Sequence, residues 1–221
     1  MNTKMNRRRF STTLLSVGIA GTALAPVSAA LAQAAGPVEG KDFTRVETPQ
    51  PPGVPAGKVE VLEFFSYACP HCSAFEPTIE AWEKTLPADV VLRRVPVPFL
   101  MNAENFMRTY YALETIGAVP AMQMKIFRAI HQERVRLETG ENMAEFVGKN
   151  GGDATKFLAA FKSFSVATSV TRAKKMMADY KVESVPTLIV QGRYVTSPSI
   201  AGGQPQALAA VDGLIQRVRK G

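Results

Sequence analysis

The stretch VEVLEFFSYACPHCSAFEP, residues 59–77, holds both cysteines of the 221-residue chain and decides the fold. Its first seven residues are mostly apolar and rich in β-branched and aromatic side chains, as is typical of a buried strand. Beyond Cys72 the large apolar residues Phe75, Ile79 and Trp82 recur at helical spacing, which predicts a helix that ends near residue 86. The two cysteines therefore lie where a buried strand turns into a helix.

This position has consequences for the chemistry of the two thiols. Pro70 suits the first helical residue, because it lacks an N–H group that would have no partner there. Cys69 is then the N-cap, and Cys72 lies in the first turn on the same side of the helix. The free N–H groups and the dipole of a helix N-terminus favour negative charge, so we expect a stabilised Cys69 thiolate with a lowered pKa. A protonated or hydrogen-bonding His71 adds to this effect, while Cys72 is expected to be more buried and to remain a thiol.

Two other uses of a close cysteine pair fit the sequence poorly. A structural zinc site needs about four ligands, whereas this chain has two cysteines and two histidines, one of which lies between the cysteines. A structural disulfide across so short a segment closes too small a loop to constrain the unfolded chain much. Redox chemistry without a metal or other cofactor is the interpretation that remains.

Residues 1–32 have the three-part pattern of an export signal. A basic start with Lys4 and Arg7–Arg9 precedes an uncharged apolar run, and Ala30-Leu31-Ala32 offers a small-residue cleavage site. An uncleaved membrane anchor is the weaker alternative, because the run is shorter than the ~20 residues that span a bilayer. Residues 6–10 also resemble a twin-arginine motif, so the sequence leaves Sec and twin-arginine export open.

The basic charge of the chain belongs mostly to this predicted signal. Residues 1–32 hold four basic and no acidic residues, so the net charge falls from +7 to +3 without them. No block of like charges remains, and we predict no nucleic-acid binding.

The remaining pattern predicts an α/β fold with a helical block between two parts. Residues 33–57 are expected to be an irregular lead-in with a short edge strand near Phe43–Val46, and residues 58–99 to hold the cysteine pair and a second strand at Val90–Val97. Residues 100–165 are expected to be helical, with Asp153 as the N-cap of the helix that holds Phe157 and Phe161. Residues 166–221 begin with a long helix and continue with a hairpin around Gln191-Gly192 and an amphipathic closing helix.

The stretch Glu63-Phe64-Phe65-Ser66-Tyr67 followed by Cys69-Pro70-His71-Cys72, with Val185-Pro186 before a hairpin, resembles the DsbA family of periplasmic thiol oxidases in Gram-negative bacteria. The resemblance extends from about Phe43 to the C-terminus. It implies a thioredoxin fold with an inserted all-helical subdomain. Ala68 before the first cysteine and Ser73-Ala74 after the second depart from the family pattern, and they bear on the substrate surface more than on the chemistry.

The resemblance also implies a mechanism and its residues. Cys69, Pro70, His71 and Cys72 are the expected catalytic group, with Cys69 and Cys72 as a redox-active disulfide donated to exported proteins that carry reduced cysteines. A substrate thiolate is expected to attack the sulfur of Cys69, which is expected to be exposed. The implied supporting residues are Glu63 as a buried acid and Val185-Pro186 as a cis-proline loop that faces the disulfide. The implied partner is a quinone-linked membrane reoxidant of the DsbB type, the implied location is the periplasm, and we expect a monomer.

The sequence leaves open the roles of several residues and the direction of the chemistry. Glu63 is as well explained by an ion pair with Arg94 on the neighbouring strand as by proton transfer. For Pro186 taken alone, a trans bond at the start of a strand is the commoner case. His131 is interpreted as a helix C-terminal cap or a packed residue. The same scaffold also suits a disulfide isomerase or reductase, or a peptide-binding chaperone.

Overall fold

A five-stranded mixed sheet forms the centre of the protein. The computed structural model describes residues 36–220, and the predicted export signal at residues 1–32 lies outside them. The strand order is β1-β5-β4-β2-β3, and only the pair β2–β3 is parallel. The strands are β1 (Thr44–Arg45), β2 (Val59–Phe65), β3 (Val90–Pro96), β4 (Thr187–Val190) and β5 (Tyr194–Thr196).

Helices cover both faces of this sheet. Successive side chains of β2 point to opposite faces, and because apolar side chains occur on both, both faces need cover. Val59 and Val61 pack in a core with side chains of the first and last helices, whereas Leu62 and Phe64 pack on the other face against the second and sixth. The helices are α1 (Pro70–Glu83), α2 (Ala103–Thr115), α3 (Val119–His131), α4 (Gly140–Lys149), α5 (Ala154–Lys162), α6 (Phe164–Asp179), α7 (Pro198–Ala201) and α8 (Gln204–Arg219).

The helices between β3 and β4 have a core of their own that reaches the cysteines. Phe127, Met143 and Phe157 belong to one buried cluster that also includes Cys69 and Cys72. The end of β2 and the start of α1 are therefore packed against the inserted helices rather than lying on an open edge.

Most predicted elements are confirmed, with differences at their ends. Strand β2 has the predicted bounds, whereas α1 ends at Glu83 because residues 85 and 86 donate to the carbonyls of residues 82 and 83 in a tight turn. Helix α7 was not predicted, since four residues are too few to show a helical period.

Helices α2–α5 lie within residues 100–165, and the subdomain division itself stays a prediction. No helix in residues 36–220 is long and apolar enough to cross a membrane.

Candidate active site

The two cysteines lie at the N-terminus of α1, as predicted. Cys69 is the N-cap in an extended conformation (φ −88°, ψ 115°), and Pro70 is the first helical residue. The Sγ atom of Cys69 accepts a hydrogen bond from the backbone N–H of Cys72 at 3.3 Å. Both cysteines are in the reduced form. The sulfur of Cys69 thus takes the place that a serine or aspartate oxygen takes in an ordinary N-cap.

This arrangement moves the pKa values of the two thiols in opposite directions. The pKa of Cys69 is lowered to about 6, first by a hydrogen bond from the Cys72 thiol and then by the backbone N–H groups of Cys72 and His71 and the charge of His71, while partial burial opposes the shift. The pKa of Cys72 is raised strongly, chiefly by burial and then by donating to Cys69. The predicted contrast between a thiolate and a thiol is confirmed, but the Cys72 side chain contributes more than the imidazole does.

One expectation about Cys69 was wrong. Its sulfur was expected to be exposed, but Cys69 is only 4% accessible and Cys72 only 1%. The reason is the chain before β4, which packs over the thiol: the Cys69 thiol donates to the Val185 carbonyl at 3.5 Å. The Val185–Pro186 bond is cis. Exposed His71 lines a depression of about 220 Å³ together with Val185 and Pro186.

A buried charged cluster lies beneath the cysteines. Glu63 and Arg94 are directly opposite each other on β2 and β3, and Arg94 Nε lies 3.0 Å from Glu63 Oε2. The angle at this contact does not suit a hydrogen bond. Arg94 also lies 3.4 Å from Glu76 Oε1 and donates to Glu83 Oε2 at 2.9 Å. The predicted ion pair of Glu63 is confirmed, and one arginine serves three carboxylates.

The charge states in this cluster follow from burial. Burial raises the pKa of Glu63 to about 8, against the opposing effect of Arg94, and it raises the pKa of Glu76 as well. The negative charge of Glu63 is one of the causes that raise the pKa of Cys72. Glu63 can therefore gain or lose a proton near neutral pH while it is electrostatically coupled to the buried cysteine. Its role as a proton acceptor stays a prediction.

Three residues of this buried cluster, Glu76, Glu83 and Gln123, were not predicted. Glu76 is buried, and Gln123 on α3 accepts from the Tyr67 hydroxyl at 2.5 Å and donates to Glu76 Oε2 at 3.4 Å. Glu76 and Glu83 are seven residues apart, which is two turns of α1, and that spacing was the available signal. No sequence pattern pointed to Gln123, because its partners belong to segments distant in the chain.

His131 is the last residue of α3, and its role is structural in this geometry. Its Nε2 atom is 2.8 Å from the carbonyl oxygen of Tyr67, and its ring stacks on Phe127. The interpretation as a packed residue is confirmed. The contact joins the end of α3 to the chain two residues before Cys69.

The described part of the chain offers little to a metal ion. Within residues 36–220, no group of three or more histidine, cysteine and carboxylate side chains is arranged as a metal site.

Comparisons with known proteins agree with this geometry. Residues 46–215 match the family model described as Thioredoxin. The chain is 41% identical to the thiol:disulfide interchange protein DsbA of Burkholderia cepacia, over 96% of this chain and 98% of that protein. It is 39% identical to the protein of the same name from Pseudomonas aeruginosa, over 89% and 93% of the two chains.

Solved structures of DsbA proteins are also similar to this chain. The crystal structure of Pseudomonas aeruginosa DsbA superimposes with a TM-score of 0.78 at 39% identity, covering 82% of this chain and 94% of that one. The oxidoreductase NmDsbA1 from N. meningitidis has a TM-score of 0.74 at 28% identity, over 83% and 94%.

Cys69 is the N-cap of α1, the helix that follows β2, and Cys72 lies three residues later. On this fold, that arrangement defines a thioredoxin-fold thiol:disulfide oxidoreductase. Within that class, the chain belongs to the DsbA family of thiol:disulfide interchange proteins. The family acts through a redox-active disulfide, and exported proteins are its substrates.

Proposed function

We propose that this protein works in the oxidising direction and donates the Cys69–Cys72 disulfide to reduced exported proteins. The observation that carries the proposal is the hydrogen bonding of Cys69 Sγ at the helix N-terminus. Groups that stabilise the Cys69 thiolate stabilise the reduced form of the pair, so the disulfide becomes easier to reduce and is passed on to other thiols.

Each cycle transfers two electrons from substrate to protein. A substrate thiolate attacks Cys69 Sγ, the Cys69–Cys72 bond breaks, and Cys72 leaves and takes up a proton. A second substrate thiolate attacks the substrate sulfur of the mixed disulfide, and Cys69 leaves as a thiolate. The substrate has then gained a disulfide, and the protein holds one thiolate and one thiol.

The neighbouring residues have assigned roles in this proposal. Pro70 begins α1 without an N–H group, and His71 adds positive charge beside the leaving Cys69 thiolate. Glu63 exchanges the Cys72 proton, since its raised pKa of about 8 lets it titrate near neutral pH. Val185 contacts the Cys69 thiol through its carbonyl and lines the depression at His71 together with Pro186, and we assign to the Val185 backbone the pairing with an extended substrate segment.

The reduced protein must be reoxidised before it can act again. We assign this step to a quinone-linked membrane protein of the DsbB type, and we place the protein as a monomer in the periplasm, after cleavage of the predicted signal at residues 1–32. The family relationship and the pattern of the first 32 residues support this assignment.

The direction is tested by equilibrating the protein with glutathione buffers and by oxidising a reduced, unfolded substrate. We expect the pair to become reduced under mildly reducing conditions, stoichiometric oxidation by the wild type, and none by Cys69→Ser. A pair that stays oxidised in strongly reducing buffer would exclude the donor role. Faster repair of a scrambled disulfide protein than oxidation of a reduced one indicates an isomerase, and activity that survives in Cys69→Ser indicates a chaperone.

A further inference from the structure

A second depression lies beside Ala68, the residue before Cys69, apart from the depression that His71 and Val185 line. We call it the Ala68 groove; its volume is about 250 Å³, and Ala68, Met101, Phe106, Arg134, Val135 and Arg136 line it. Ala68 directly precedes Cys69 in the chain. A polypeptide joined to Cys69 through a mixed disulfide therefore has its neighbouring side chains within reach of this groove.

The outer wall of the groove is held in place by backbone contacts. Asn102 and Asn105 at the start of α2 both donate to the Glu138 carbonyl, at 3.0 and 2.7 Å. The Val135 N–H donates to the Ala129 carbonyl at the end of α3, at 2.8 Å. The segment 134–138 is thus anchored to two helices, and the groove does not depend on substrate to form.

The lining of the groove includes exposed apolar side chains. Among residues 36–220, five large apolar side chains are exposed, and two of them, Met101 and Val135, line the groove; Met101 is 82% accessible. Exposed apolar side chains gathered beside a reactive group typically mark a surface that binds another molecule.

The rim of the groove carries excess positive charge. Arg134 and Arg136 are exposed, and neither takes part in the ion pairs found among residues 36–220. Glu138 is the one acidic residue on the lining, which leaves a net charge of +1. The depression at His71 has no arginine, lysine or carboxylate on its lining. Charges on the rim of a binding surface mainly change the association rate and its salt dependence.

We propose that the Ala68 groove selects substrates: it binds an extended segment with a bulky apolar residue beside the reactive cysteine and acidic residues farther along. This specificity rests on the proposed oxidase function and adds to it. The apolar side chain enters the groove between Met101 and Val135, and the carboxylates lie near Arg134 and Arg136.

The test measures how fast single-cysteine peptides reduce the oxidised protein. Two peptides with leucine beside cysteine differ only in their flanks, which carry aspartates in one and lysines in the other. Flanking charge also changes the pKa of the peptide thiol, so each rate is divided by the rate of the same peptide with the neutral hydroxyethyl disulfide. The ratio of the two normalised rates is measured at about 0.02 M and about 0.5 M salt.

We expect the acidic peptide to react about fivefold faster at low salt and the advantage to shrink at high salt. The double variant Arg134→Glu/Arg136→Glu should reverse the preference. The matched control is Arg128→Glu on α3, an exposed arginine that does not line the groove and should leave the ratio unchanged. Replacing Met101 and Val135 by serine should reduce the advantage of the leucine peptides over glycine peptides.

A wild-type ratio within about twofold of one at low salt would refute the selection. So would a preference that survives in the double variant, or one that Arg128→Glu removes equally well. Failure of the oxidase function is recognised separately in the glutathione equilibrium, because a pair that stays oxidised in strongly reducing buffer excludes the donor role whatever the ratio of the peptide rates.

Discussion

Replacing Cys72 by alanine tests what holds the charge on Cys69. The first cause of the lowered pKa of Cys69 is a hydrogen bond from the Cys72 thiol, and the backbone N–H groups come after it. A hydrogen bond to a charged group contributes about 1.5–3 kcal/mol, and one pKa unit corresponds to about 1.36 kcal/mol. Loss of the S–H donor should therefore raise the pKa of Cys69 by about 1–2 units, from about 6 to about 7–8.

The assay is the ultraviolet absorbance of the thiolate as a function of pH in the reduced protein. The chain has two cysteines, so every thiolate signal of Cys72→Ala comes from Cys69. Cys72→Ser is the matched control, because its hydroxyl can still donate and should keep the midpoint near the wild-type value. His71→Ala should raise the midpoint by less than Cys72→Ala does, since the charge of His71 comes after the Cys72 side chain among the causes.

Two results would contradict this explanation. An unchanged midpoint in Cys72→Ala would show that the helix N-terminus alone stabilises the thiolate. A larger shift in His71→Ala than in Cys72→Ala would make the imidazole the principal partner of Cys69.

The remaining predictions concern stability. The pKa of Cys69 is lower in the folded than in the unfolded state, so its contribution to the stability of the reduced protein is absent below about pH 6 and grows until about pH 9. Chemical unfolding of the reduced and the oxidised protein across this range should therefore show the reduced form becoming more stable relative to the oxidised form as the pH rises. A difference in unfolding free energy that does not change with pH would contradict the lowered pKa. Arg94→Met should lower the free energy of unfolding by about 3–5 kcal/mol above about pH 8, where Glu63 is ionised, because Glu63 and Glu76 lose their buried cation; a loss below about 1 kcal/mol in urea unfolding at that pH would contradict the ion-pair geometry. Tyr67→Phe leaves the buried Gln123 oxygen without a donor and should cost about 1–3 kcal/mol in the same measurement; an unchanged midpoint would argue against that hydrogen bond.

The local sequence predicted those parts of the protein that depend on neighbouring residues in the chain. The bounds of β2, the N-cap position of Cys69 and the N-cap at Asp153 follow from short patterns of apolar, proline and capping residues. Asp153 accepts from the Lys156 N–H as a helix N-cap should. The element order then follows, because such patterns need no knowledge of tertiary contacts.

Burial of the site depends on contacts between distant segments and could not be predicted in this way. Val185 lies 116 residues from Cys69 in the chain, yet its carbonyl contacts the thiol and removes it from solvent. Gln123 reaches Tyr67 and Glu76 only because α3 packs against α1.

What the sequence determined by itself was the chemistry: a cysteine that caps a helix has free N–H groups beside its sulfur, whatever else the chain does. The tertiary structure decided the surroundings of the two sulfurs. It determined how far each sulfur is buried, which carboxylates share Arg94, and which side chains border the route to Cys69. These features arise when separate segments pack together, since burial and pairing depend on distance in space and not on separation in sequence.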